Sequence, residues 1–150
     1  MTRWAPSSSA APPRCSPQPD VYRWVDHTAE VELVIDAPSD QAAFEDALRA
    51  YAELVDRGEA GEPARHEVTL EAADTASLLA AWVDELVFLA ETDRFVPERL
   101  VAFELAGKRL TAVAEGHRGA PSPLVKAVTY HGLEYVRDAH GVRARLVLDV

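Results

Sequence analysis

The apolar residues of this chain switch repeatedly between a spacing of two and a spacing near 3.6, and the order of the switches leaves few folds open. Val31, Leu33 and Ile35 alternate with Glu32, Val34 and Asp36, the pattern of a strand with one mostly polar face. Ala37-Pro38-Ser39 breaks that strand. Phe44, Ala47, Leu48, Tyr51, Leu54 and Val55 then fall at offsets of three and four. They predict an amphipathic helix of about four turns, with Ser39 as N-cap and Asp40 at its positive end. Arg57-Gly58 and Gly61-Glu62-Pro63 end it. His66 to Ala72 reads as a short strand with Val68 and Leu70 on one face. Asp74 or Thr75 caps a second helix whose wide stripe is Leu78, Leu79, Trp82, Val83, Leu86, Val87 and Ala90. The Trp82 and Phe88 aromatics fall on the same helical spacing and read as core.

Extended structure follows. Leu100 to Leu105 and Leu110 to Glu115 flank Ala106-Gly107-Lys108-Arg109, a hairpin signal. After the polar loop Gly116 to Pro123, Val125 to Arg137 and Val142 to Val150 flank a second turn, Asp138-Ala139-His140-Gly141. In the last strand Val142, Ala144, Leu146, Leu148 and Val150 share one side, and Arg143, Arg145, Val147 and Asp149 the other. Strand, helix, strand, helix and then four strands predict an α+β domain of two layers, a mixed or antiparallel sheet packed with two main helices.

At 150 residues, with 48% hydrophobic and 27% charged, the chain is long and apolar enough for one ordinary globular domain. The domain is expected over residues 21–150. Residues 1–20, rich in Ser, Ala and Pro (Pro6, Pro12, Pro13, Pro17, Pro19), have little to bury and read as a disordered tail. Cys15 is the only cysteine, so no disulfide framework and no thiolate metal site can form, which fits a reducing cytoplasm. No secretory leader and no bilayer-spanning apolar run is read. A formal net charge of −10 argues against autonomous binding to phosphate backbones, which needs Lys and Arg. Arg143 and Arg145 on one strand face are the local exception to weigh.

Asp26-His27-Thr28-Ala29-Glu30 places two carboxylates, an imidazole and a hydroxyll-bearing side chain just before a strand. In a regular extended stretch Asp26, Thr28 and Glu30 would share a face, with His27 turned away. At the far end Asp149 lies on the polar side of its strand, next to Val150, where the chain stops and a terminal carboxylate would add an oxygen. Clustered oxygens suit hard cations such as Ca²⁺, Mg²⁺ and Mn²⁺. The plainer alternative pairs Asp149 with Arg143 or Arg145. Lys126 opens the dense stretch Lys126-Ala127-Val128-Thr129-Tyr130-His131-Gly132-Leu133; a lysine there is commonly a solvated strand gatekeeper, and Tyr130 and His131 could equally be core. There is no phosphate loop, zinc-ligand spacing, nucleophile elbow or RNA-recognition sheet pattern.

Tyr22-Arg23-Trp24-Val25-Asp26-His27-Thr28-Ala29-Glu30-Val31 resembles the opening signature of the archease family, which reads Asp-His-Thr-Ala-Asp after a Tyr-containing lead. The Leu78-Leu79 helix, the Lys126 to Leu133 stretch and the closing Leu148-Asp149-Val150 fall in family order. The resemblance covers about Val21 to Val150. It implies a small α+β protein that activates an RtcB-type RNA ligase, speeding its guanylylation and permitting multiple turnover in tRNA splicing or RNA repair. It implies no catalytic residues and a divalent-metal site, Ca²⁺ foremost, at Glu30, Asp149 and Val150, the last through a main-chain oxygen. Lys126 matches a patterned family position, and Asp26 and His27 are its other functional candidates. Some relatives are described as chaperones for a tRNA methyltransferase. The departure is Glu30, where the family has Asp; the extra methylene is better tolerated by Ca²⁺ than by Mg²⁺. The competing class is a metal-dependent hydrolase using Asp26, His27 and Glu30, with a carboxylate and imidazole as general base.

Overall fold

The computed structural model describes residues 22–26 and 30–150. The element order is β1 (Tyr22–Asp26), β2 (Glu30–Ala37), α1 (Asp40–Val55), β3 (Glu62–Glu71), α2 (Thr75–Asp93), β4 (Phe95–Ala106), β5 (Arg109–Arg118), β6 (Ala127–Asp138) and β7 (Gly141–Asp149). The expected α+β architecture is present. Its strands are all antiparallel and divide into two sheets, ordered β1-β2-β7-β6 and β3-β5-β4. Helix α1 packs against β2 and β7 of the first sheet and β4 of the second, and α2 against β6 and β4. Both helices therefore serve both sheets and close one core.

Each helix begins as its sequence predicts. Ser39 Oγ accepts from the Ala42 N–H (3.2 Å), and Asp74 Oδ1 accepts from the Ser77 N–H (2.8 Å), satisfying amides that a helix start leaves open. Trp82, Phe44, Tyr51, Leu48, Leu86, Leu33, Ile35 and Leu146 are fully enclosed. Trp82 also donates its indole N–H to the Phe44 carbonyl at 3.0 Å, locking α2 to α1. Phe88 corrects the expectation for that helix. It is 54% exposed, because it lies outside the stripe that faces the core.

Three strands are longer than, or absent from, the sequence pattern. Strand β1 was not separable from the lead into β2; it is held to α1 by Tyr22 Oη and Trp24 Nε1, which both donate to Glu53, at 2.6 and 3.3 Å. Strand β3 begins at Glu62 and contains Pro63, and β4 begins at Phe95 and contains Pro97. Proline removes a ladder donor, which is tolerable here because β3 and β4 are the two edges of their sheet. A register shift follows Pro97 directly.

Candidate functional site

Strands β2 and β7 pair antiparallel with Glu30 directly opposite Asp149. Ala127 of β6 registers with Asp149 from the other side. The sheet's outer face thus carries the rungs Glu30–Asp149–Ala127, Glu32–Val147–Thr129, Val34–Arg145–Glu134 and Asp36–Arg143–Val136. The opposite parity, Leu33, Ile35, Ala144, Leu146 and Leu148, is buried in the core. Core burial fixes which face each side chain takes, since a one-residue slip would turn every one of them over. Glu30 and Asp149 are brought together in this way although they lie at opposite ends of the domain sequence.

Along this face the other carboxylates are neutralised. Arg145 donates to Glu32 (2.9 Å), to Glu134 (3.1 Å) and to the Gly132 carbonyl (3.2 Å), and Arg143 donates to Asp36 (3.3 Å). The arginines are thus committed elsewhere, and the alternative pairing of Asp149 with either of them is not what forms. They are no basic patch either, since each is matched by an acid. Among the described residues no ion pair reaches Glu30 or Asp149. Two like charges facing each other across a ladder are mutually unfavourable, so this end of the sheet is preset to attract positive charge.

Lys126 lies just before β6 and is exposed, and its backbone N–H donates to the Asp149 carbonyl at 2.8 Å. That bond fixes the end of β7 against the start of β6. Val150 follows directly and is half-buried against the core. Asp26 ends β1, its backbone in register with Val31. The chain therefore reverses between Asp26 and Glu30. The expectation that Asp26 and Glu30 share a face of one continuous strand is corrected, because they belong to two antiparallel strands, β1 and β2. His27 and Thr28 lie outside the described residues.

Next to this corner, β6 departs from its ladder. Thr129 registers with Val147 and Glu134 with Arg145, so Tyr130 to Leu133 oppose a single residue, Leu146. Gly132 takes a positive φ of 76°, a conformation glycine adopts without penalty. The bulge turns Tyr130 and His131 outward into solvent, so neither is core. Asp84 of α2, which sequence reasoning passed over, accepts the Val128 N–H at 3.0 Å. Burial raises the Asp84 carboxyl above its ordinary range, with the Val128 bond pulling the other way. Burial, and then the Asp84 charge, raise the Tyr130 phenol. The signal for Asp84 was an Asp84-Glu85 pair of acids inside an otherwise apolar stretch of helix.

The donors at the corner are oxygens, the chemistry of a hard cation rather than of zinc or copper. Two carboxylates and a main-chain oxygen at Val150 make three donors, short of the six to eight such a cation takes, so water or a partner's oxygens would complete the shell. Among the described residues no three His, Cys, Asp or Glu side chains converge as a metal site. An open groove of ≈ 480 Å³ lies at the opposite end of the same sheet, between Asp36, His140 and Arg143. The other histidines of the domain are paired: His117 with Glu98 at 2.6 Å, and His66 with Asp93 at 2.8 Å, where Arg118 joins them.

Two antiparallel sheets closed over two helices, with two facing carboxylates at one sheet corner, define a small α+β protein. Residues 22–150 match the model of the Archease protein family, and the chain belongs to that family. It is 34% identical over 140 residues to the protein archease of Methanosarcina acetivorans, covering 86% of this chain and 95% of that one. The solution structure of Methanobacterium thermoautotrophicum protein 1598 superposes with a TM-score of 0.63 at 27% identity, over 87% of this chain and 99% of that one. The crystal structure of an archease from Thermotoga maritima, described as a possible chaperone, has the same fold with a TM-score of 0.62 at 21% identity, over 84% and 94% of the two chains. No helix among the described residues is long and apolar enough to cross a membrane.

Proposed function

We propose that this protein is a non-enzymatic activator of an RtcB-type RNA ligase, promoting the ligase's guanylylation and multiple turnover in tRNA splicing or RNA repair. Family membership supports the reading. The observation that carries it is the Glu30–Asp149 pair, two facing carboxylates at a sheet corner with no ion pair to either among the described residues. Such a pair offers oxygens to a divalent cation or to a basic surface on a partner. We assign the cation, Ca²⁺ before Mg²⁺ or Mn²⁺, to Glu30, Asp149 and the Val150 main-chain oxygen. Lys126, whose backbone N–H holds the Asp149 carbonyl, is the next functional candidate. Asp26, which ends β1 with its backbone in register with Val31, is a further candidate, as is His27 outside the described residues.

The test is a multiple-turnover ligation assay with the cognate ligase, GTP and RNA bearing a 2′,3′-cyclic phosphate. Wild type should raise turnover, and Asp149→Ala should abolish the rise. Equal stimulation by both would remove the acidic corner from the mechanism. A chaperone acting by shape alone, as the Thermotoga maritima description suggests for that protein, predicts such equality even for Glu30→Ala combined with Asp149→Ala.

A further inference from the structure

We propose that the seam between α2 and the start of β6 is the docking surface for the partner, and that it takes an amphipathic basic segment of a protein. The proposal rests on the reading that this chain works through a protein partner. Among the described residues the large exposed hydrophobics are Phe88, Val101, Leu124, Tyr130 and Val136, and three of these follow one seam. The Asp84–Val128 bond joins the two elements. Phe88 is one helical turn beyond Asp84 on the same face, Tyr130 is two residues beyond Val128, and Leu124 precedes the buried Val125. Single exposed hydrophobics need no explanation, but a row of them beside a built socket does.

The socket is a recess of ≈ 120 Å³ whose lining includes Val87, Ala90, Glu91, Pro121, Pro123 and Val125. Its volume suits one aliphatic or small aromatic side chain as an anchor, the form interface hot spots take. Its loop is tied down: the Ser122 N–H donates to the Val55 carbonyl at 2.9 Å, so the recess is held open in advance of binding. The charges around the seam select the occupant. Glu91 and Asp84 lie on α2, and the Glu30–Asp149 pair lies beyond Lys126, the one cation of the stretch. A second copy of this chain would bring acid onto acid, and anionic nucleic acid or lipid would be repelled likewise. A segment alternating apolar residues with Lys or Arg meets both features. Placed there, it runs directly toward the carboxylate corner, so binding and activation are adjacent but separable.

The experiment measures affinity for the cognate RtcB-type ligase by calorimetry and the concentration dependence of ligation. Phe88→Ser with Leu124→Ser is expected to weaken Kd by roughly tenfold or more, with full stimulation restored at saturation. Glu91→Lys should weaken it too, and the more so at low salt. Asp149→Ala should instead lose the stimulation at every concentration. Both seam residues are exposed, and an unchanged thermal midpoint confirms that the double variant is folded. Wild-type affinity in the Phe88 and Leu124 variant overturns the seam. If wild type neither binds nor stimulates the ligase, the ligase reading falls and the seam is decided separately. The full chain is then titrated by NMR with a synthetic amphipathic peptide, leucines along one face and lysines along the other. Shifts at Val87 to Glu91 and Pro121 to Val125 that vanish in the Phe88 and Leu124 variant sustain the seam; shifts elsewhere, or none, overturn it.

Discussion

The outer face of the first sheet has two ends, and they treat acidic residues in opposite ways. At one end Asp36 meets Arg143, and Arg145 gathers Glu32, Glu134 and the Gly132 carbonyl. At the other, Glu30 faces Asp149 across the same ladder, with no arginine in register. The backbone pairing is the same throughout, so the difference is one of side chains. The paired end spends its charges on its own fold, whereas the unpaired end keeps an electrostatic cost that an external cation or basic partner can relieve.

The largest effect is expected where the unpaired end is removed. Asp149→Ala should eliminate ligase stimulation, while Arg143→Ala leaves it intact; equal losses would mean that the two ends do not differ in role. Next in size is Arg145→Met, which removes the guanidinium shared by the largely buried Glu32, Glu134 and the bulge carbonyl. It should cost about 1–2 kcal/mol in urea unfolding. A loss under about 0.3 kcal/mol would show that the paired end is not stabilising. Glu30→Gln removes the facing charge and should raise stability by a few tenths of a kcal/mol at low salt, with the gain fading as salt is added; a clear loss would reveal a counter-ion at that end. Smallest is Arg143→Ala. That pair is exposed on both sides, and its thermal midpoint should move by no more than about 2 °C.

Much of this contrast was legible before any coordinates. The alternation from Val142 to Val150 places Arg143, Arg145 and Asp149 on one face, and the caps at Ser39 and Asp74 are made as their residue types demand. Register was not legible. Periodicity says which face a residue takes but not which residue lies across from it, so the arginines could not be assigned to Glu32 and Asp36 rather than Asp149. The antiparallel pairing of β1 with β2 was hidden because the sequence linking them, His27-Thr28-Ala29, includes no glycine, asparagine or proline to mark a reversal. Pro63 and Pro97 concealed strand starts that edge positions tolerate. The bulge at Tyr130 to Leu133 looked like ordinary alternation, with Gly132 as its one clue. Phe88 sat close enough to the apolar stripe in sequence to be taken for part of it.

The central claim is that Glu30 and Asp149 act as one unit. A double-mutant cycle on ligase stimulation, comparing wild type, Glu30→Ala, Asp149→Ala and the double variant at saturating protein, tests it most directly. The account predicts that either single change loses nearly as much stimulation as both together. Losses that multiply independently, or a Glu30→Ala protein that stimulates as wild type does, would contradict it.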